Sequence, residues 1–227
     1  MCILTETQIK QRYFEDMGCS SEEKKATLVS DYDGGDKLCI SCTQLDYNGY
    51  SKSEQKKILA EWINFLKTNT KVFKSIYFTS HVPQALFDAA CCQENLKELR
   101  FKWGSYSDLS SLRNLDKLEF LYIGSGSRVK EIEVISSMKN LVVLHIENFK
   151  QIYDYSPLSN LDKLEQLVIS GPVLGKTPIR DLEFLYDMKN LVSAWFPNIS
   201  IKRKYTSLEL NKLKNDLSNI YFIYNCV

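Results

Sequence analysis

The sequence predicts an α/β solenoid. Stacked copies of one short unit would form a curved parallel sheet on a concave face. Short helical or 3-10 arms would sit on the convex face, with an α/β cap at the N-terminal end. Three observations carry that expectation. A six-residue apolar pattern recurs seven times in one phase, and between its copies apolar residues step every three positions. The 227 residues also have the make-up of a folded protein, 44% hydrophobic and 25% charged with only 9 Gly and 5 Pro.

The recurring segments are FKSIYF, LKELRF, LEFLYI, LVVLHI, LEQLVI, LVSAWF and LSNIYF. They begin at Phe73, Leu96, Leu118, Leu141, Leu164, Leu191 and Leu217, spaced by 23, 22, 23, 23, 27 and 26 residues. Each fits LxxLxL, with Ala194 as the one small residue in an L place. The connecting stretches LSSLRNLDKL, ISSMKNL, SPLSNLDKL and FLYDMKNL carry the three-residue step, which suits a short 3-10 arm facing a narrow core. One unit cannot bury its own apolar edge, but stacked neighbours make a continuous core and a parallel sheet.

This pattern resembles the leucine-rich repeat family, in particular the short-repeat class of bacterial internalins and phosphatase-regulating repeat proteins. The resemblance covers about two thirds of the chain and implies a protein-binding solenoid. By analogy the partner would be an enzyme under regulation or a toxin being neutralised. One family feature is absent: Gly126, Phe149 and Pro172 stand where an Asn ladder is expected after the strand.

Upstream of the repeats, KLCISCTQL reads as a strand. Residues 51–69 then read as a helix, with a capping-box start at Ser51 and Glu54 and a stripe of Ile58, Leu59, Trp62, Phe65 and Leu66. VPQALFDAACC reads as a second helix, with Pro83 near its first turn. Residues 1–72 are thus an N-terminal segment and α/β cap, and residues 73–227 are the repeats. The first 30 or so residues are polar, expected as a helix or as partly disordered chain. The C-terminal stretch reads as a helix followed by a last strand, whose edge would be shielded by a partner or a second copy.

Several chemistries are disfavoured. With 29 basic and 28 acidic residues, the net charge of +1 argues against a nucleic-acid or anionic-membrane partner. No apolar run is long enough to span a bilayer, and the opening does not read as a signal peptide. Seven scattered cysteines suggest reduced thiols in a cytoplasm. In CISC, residues three apart on a strand point to opposite faces, so Cys39 and Cys42 would not share a metal or form an easy disulfide. DYDGGD lacks the ligand pattern of a calcium loop and reads as a turn.

VISGPVLGKTPIRDL comes close to a phosphate-binding loop, but only three residues separate Gly171 from Gly175, Pro172 removes a donor, and Pro178 stands where a helix should start. His81 and His145 have no nucleophile setting around them. No cofactor, metal site or catalytic residue is expected, and the chain reads as non-enzymatic.

What the repeat places outward is more telling. The fifth positions are Tyr77, Arg100, Tyr122, His145, Val168, Trp195 and Tyr221, and Phe120 and Val143 at third positions widen the band. Solubility alone would favour Lys, Glu, Ser and Thr there, whereas aromatic residues and Arg are what protein interfaces enrich. These nine residues are the expected protein-binding face. The competing readings are ordinary strand preference for such residues, or a terminal segment folded over the face. Two other functional readings remain open: a structural protein that self-assembles, as a homodimer through the last strand, and a nucleotide-binding or thiol enzyme.

Overall fold

Parallel pairing runs through the chain without interruption. The structure, a computed structural model, describes residues 25–218 and 220–223, the last three by their backbone. The strands are β1 (Lys25–Ala26), β2 (Lys37–Ile40), β3 (Ser75–Phe78), β4 (Glu98–Phe101), β5 (Phe120–Ile123), β6 (Val143–Glu147), β7 (Gln166–Ser170), β8 (Thr177–Ile179), β9 (Ser193–Trp195), β10 (Ile199–Ile201) and β11 (Tyr221–Ile223). Nine of them form one parallel sheet in the order β1-β2-β3-β4-β5-β6-β7-β9-β11, while β8 and β10 pair as a small second sheet. The expected solenoid is therefore present, and β1 and β2 extend the same sheet beyond β3.

Alternation sends the consensus positions to one side. Ile76, Leu99, Leu121, Leu144 and Leu167 join the main core, where they meet Leu112 and Leu158 of the 3-10 arms at Ser110–Asn114 and Ser156–Asn160. A third arm, Glu183–Asp187, adds Phe184 and Leu185. Ala194 is fully buried, so its small side chain still faces the core.

Both helices expected in the N-terminal half are present. In helix α1 (Lys52–Thr68), Ser51 Oγ accepts from the Glu54 amide at 3.3 Å and a Glu54 carboxylate oxygen accepts from the Ser51 amide at 2.8 Å. Ile58, Trp62 and Leu66 lie four apart on one face and are buried, each stabilising by about 1.5 to 3 kcal/mol. Trp62 Nε1 donates to the Thr27 carbonyl at 2.8 Å, tying α1 to the β1 edge. Helix α2 (Gln84–Ala90) starts behind Pro83 and buries Leu86 and Phe87. Short helix α3 (Glu133–Ser136) and capped helix α4 (Ser207–Asp216) follow. The expectation for the first residues lies outside the described residues as far as 24.

The Asn ladder missing after the strands has a counterpart before them. Asn95, Asn140 and Asn190 each donate an amide hydrogen to a carbonyl of the preceding repeat, on Lys71, Asp116 and Asp162, at 2.8, 2.7 and 2.5 Å. Lys117 and Lys163 in the alternate repeats donate to Asn95 and Asn140, both at 2.7 Å. These side chains lock the units together along one edge.

Candidate functional site

The sheet register settles which outward residues are neighbours. Cys39, Tyr77, Arg100, Tyr122, His145, Val168 and Trp195 stand directly opposite one another in succession. Ser75, Glu98, Phe120, Val143, Gln166 and Ser193 form the adjacent column. Eight of the nine expected residues thus share one continuous band. Tyr221 departs from its expected column: it pairs with Ser193, and Ile223 pairs with Trp195. The reason is local. Leu217, which the hexad places at a strand start, instead ends α4 by donating its amide to Leu213 and sits in the core, so the last strand begins two residues later. Cys39 extends the band by one strand. The alternation of KLCI points there, but without the consensus it could not be aligned.

The band is closed to water where the sequence suggested an exposed patch. Val143 is 0% exposed, Phe120 and Val168 2%, His145 3% and Tyr122 6%. Phe120, Tyr122, Val142 and Val143 form a second buried cluster, separate from the main core. Arg100 and Trp195 are half-buried.

Contacts within the band are specific. The Arg100 guanidinium pairs with the Glu98 carboxylate and lies 4.7 Å from the Phe120 ring centre and 5.9 Å from that of Tyr77. The rings of Tyr122 and His145 approach to 4.5 Å at a 31° tilt. Tyr122 Oη donates to Glu147 at 3.0 Å, and His145 Nε2 lies 3.3 Å from Ser170 Oγ. Gln166 and Trp195 are likewise engaged. The result is an amphipathic floor: aromatic faces with Arg100 among them along the middle, and Glu147 and Ser170 at one margin.

Other candidate chemistry falls elsewhere. After β7 the loop 171–176 leads into strand β8, whose Thr177 amide donates to the Asn198 carbonyl at 3.0 Å, so no helix opens toward a phosphate. Gly171 is required by packing, since a Cβ there would lie 1.8 Å from the Asn198 carbonyl oxygen, and Gly175 turns the chain at φ +105°. Cys42 lies in the core and Cys39 in the outward band, on opposite faces as their spacing implies. Burial pushes the Cys42 thiol up to about 12 and raises that of Cys91 well above the ordinary value. A cleft of about 540 Å³ includes Asp108, Arg113, Arg128, Lys130, Glu131 and Glu133, where alternating charges cancel any single-sign field.

No protein-family model matches the sequence, and comparison with curated proteins finds no match. Solved structures do. An internalin from Listeria monocytogenes matches over 68% of this chain and 48% of its own, with a TM-score of 0.50 at 22% identity. A leucine-rich repeat protein from Leptospira interrogans matches over 85% and 51%, with a TM-score of 0.53 at 14% identity. The fold is a leucine-rich repeat solenoid. At these identities the likeness is one of fold, and the chain spans about half the length of each structure. The leucine-rich repeat frame accounts for the straight columns, because every repeat presents the same strand positions to the same face.

Proposed function

We propose that this chain is a non-enzymatic interaction module, with the repeats at 73–227 holding a protein partner on their concave face and residues 1–72 serving as segment and cap. The observation that carries this reading is the band itself. Tyr77, Arg100, Phe120, Tyr122, Val143, His145, Val168 and Trp195 stand in register across adjacent strands, with Tyr221 at the far edge. Rigid aromatic side chains beside one Arg are the composition from which interface hot spots are made. A protein chain supplies both the apolar surface for the middle and the polar groups for Arg100 and Glu147.

The non-enzymatic part is supported by the inert thiols of Cys42 and Cys91 and by the strand after the glycine loop. The reduced thiols of Cys42, Cys91 and Cys92 favour the cytoplasm. Balanced charge disfavours nucleic acid or a membrane surface as partner, and no described helix is long and apolar enough to cross a membrane. A second reading, a homodimer through the last strand, draws on the position of β11 at the end of the sheet. Light scattering separates it: a monodisperse monomer removes it.

The direct test uses the full chain as bait in a lysate of its source, beside a Tyr122→Ala/Trp195→Ala variant shown by circular dichroism to be folded. Loss of a captured protein with the variant alone supports the reading. Identical captures from both baits sink it.

A further inference from the structure

Asparagine followed by glycine occurs once in the sequence, at Asn48–Gly49. Asn48 is the last residue of a 3-10 turn, Leu45–Asn48, that leads into α1, and Gly49 follows it at φ +83°. Asn48 is exposed, and its side-chain amide makes no hydrogen bond among the described residues. Gly49 is exposed too, with nothing beyond its chain neighbours within 4 Å of where a Cβ would stand, so the space beside its nitrogen is open. The turn is loosely closed. The Gly49 amide donates to the Asp46 carbonyl at 3.2 Å and the Tyr50 amide to that of Leu45 at 3.4 Å, at and beyond the long end of the ordinary range.

The other asparagines lack this combination. Asn114 ends the arm Ser110–Asn114 in the same way, exposed and with no side-chain hydrogen bond among the described residues. The residue after it is Leu115, 3% exposed, whose amide donates to the Leu112 carbonyl at 3.0 Å. A buried leucine holds that nitrogen in place, whereas exposed Gly49 can turn its own toward the side chain before it. The side-chain amides of Asn69, Asn95, Asn140, Asn160, Asn190 and Asn198 are engaged with main-chain carbonyls.

We propose that Asn48–Gly49 is a self-modification site, where the chain converts its own asparagine to aspartate and isoaspartate with water as the only co-reactant. The Gly49 nitrogen gives its proton to solvent and bonds to Asn48 Cγ. The Cγ–Nδ2 bond breaks, and Nδ2 takes up a proton and leaves as ammonia. Water then adds to one carbonyl of the resulting cyclic imide, one C–N bond breaks, and the Gly49 nitrogen regains its hydrogen. Opening at Cγ yields aspartate. Opening at the main-chain carbonyl yields isoaspartate, with the backbone rerouted through the side chain and one carbon longer. No atom is oxidised or reduced. The product acts on the approach to α1. Leu45, anchored in the core, donates its amide to Gln55 Oε1 at 3.2 Å, and Gln55 Nε2 donates to the Tyr50 carbonyl at 2.9 Å and to Asp46 at 3.2 Å. An extra backbone carbon between Asp46 and Tyr50 disturbs these bonds, and the new carboxylate stands two residues from the Asp46–Lys52 ion pair. The modification depends on no partner.

The test is timed peptide mapping of the purified, folded full chain in neutral and in mildly alkaline buffer. Mass spectrometry with electron-transfer fragmentation separates aspartate from isoaspartate at each position. Position 48 should convert several-fold faster than position 114, faster in the alkaline buffer, and to a mixture that contains isoaspartate. Asn48→Gln should abolish the product, because its longer side chain must close a larger ring; this variant leaves the backbone of the turn as it is. Gly49→Ala, checked for folding by circular dichroism, should slow conversion several-fold. Conversion at position 48 no faster than at 114 overturns the proposal. So does a product that is aspartate alone, since direct hydrolysis needs no Gly49 nitrogen. Conversion seen only after unfolding in urea also overturns it, because the folded turn would then protect the pair.

Discussion

Phe120→Ala puts a number on how far the concave band behaves as core. The ring is 2% exposed, and the Arg100 guanidinium lies 4.7 Å from its centre. Removing a fully buried Phe ring costs about 3 to 5 kcal/mol, the sum of lost transfer energy and the cavity left behind. The lost cation–π contact accounts for about 0.5 to 1 kcal/mol of such an effect. With a urea m-value of about 2.5 kcal/mol per molar, a loss of 3.5 kcal/mol lowers the midpoint by about 1.4 M. The assay is urea unfolding of the full chain followed by far-UV circular dichroism. Phe101→Ala, which removes a fully buried ring from the main core, is the internal standard. The two variants should lose comparable stability. A shift below about 0.3 M for Phe120→Ala, beside a large one for Phe101→Ala, would refute the reasoning, because a ring open to water costs only about 0.5 kcal/mol to remove.

Three further outcomes follow from named contacts. Asn140→Ala removes one bond to Asp116 and one from Lys163, and should cost about 1 kcal/mol in urea unfolding with an unchanged m-value. Acid should destabilise the fold. Asp108 is held below the ordinary aspartate value by the Ser110 amide and hydroxyl. For Asp154, burial alone would raise the value, but bonds from Ser156 and the charge of Arg180 outweigh it and hold it low. Carboxyls depressed in the folded state stabilise above the unfolded value of 3.8 and lose that contribution as pH falls through their folded values. The urea midpoint should therefore drop below about pH 4, and less steeply in Asp154→Asn. Finally, among Cys42, Cys91 and Cys92, iodoacetamide at pH 8 should label half-exposed Cys92 first, with the other two reacting only on unfolding. Mass spectrometry of peptides gives the order.

The repeats were legible because burial imposes its period on the sequence: a strand whose alternate residues face a shared core must repeat LxxLxL. The band's membership followed from the same alternation, and Tyr77 through Trp195 fell into line. The last repeat was misaligned because Leu217 satisfies the hexad while serving as the end of α4, a choice made by hydrogen bonding rather than hydrophobicity. The 27-residue spacing before Leu191 concealed strand β8, a three-residue element paired with β10 and too short for a periodic signal. The edge network of Asn95, Lys117, Asn140, Lys163 and Asn190 is polar, so a search for apolar period passes over it. Burial of the band was not legible either, since strand alternation separates the two faces of a sheet without fixing how far each is exposed.

Radical footprinting of tyrosines in the unmodified full chain tests the concave band most directly. Tyr47 and Tyr153 are exposed, Tyr106 and Tyr155 are buried in the main core, and Tyr77 and Tyr122 belong to the band. The low exposure of the band predicts that Tyr77 and Tyr122 label as slowly as Tyr106 and Tyr155. Labelling of Tyr122 at the rate of Tyr47 would contradict it and leave the concave face open to solvent.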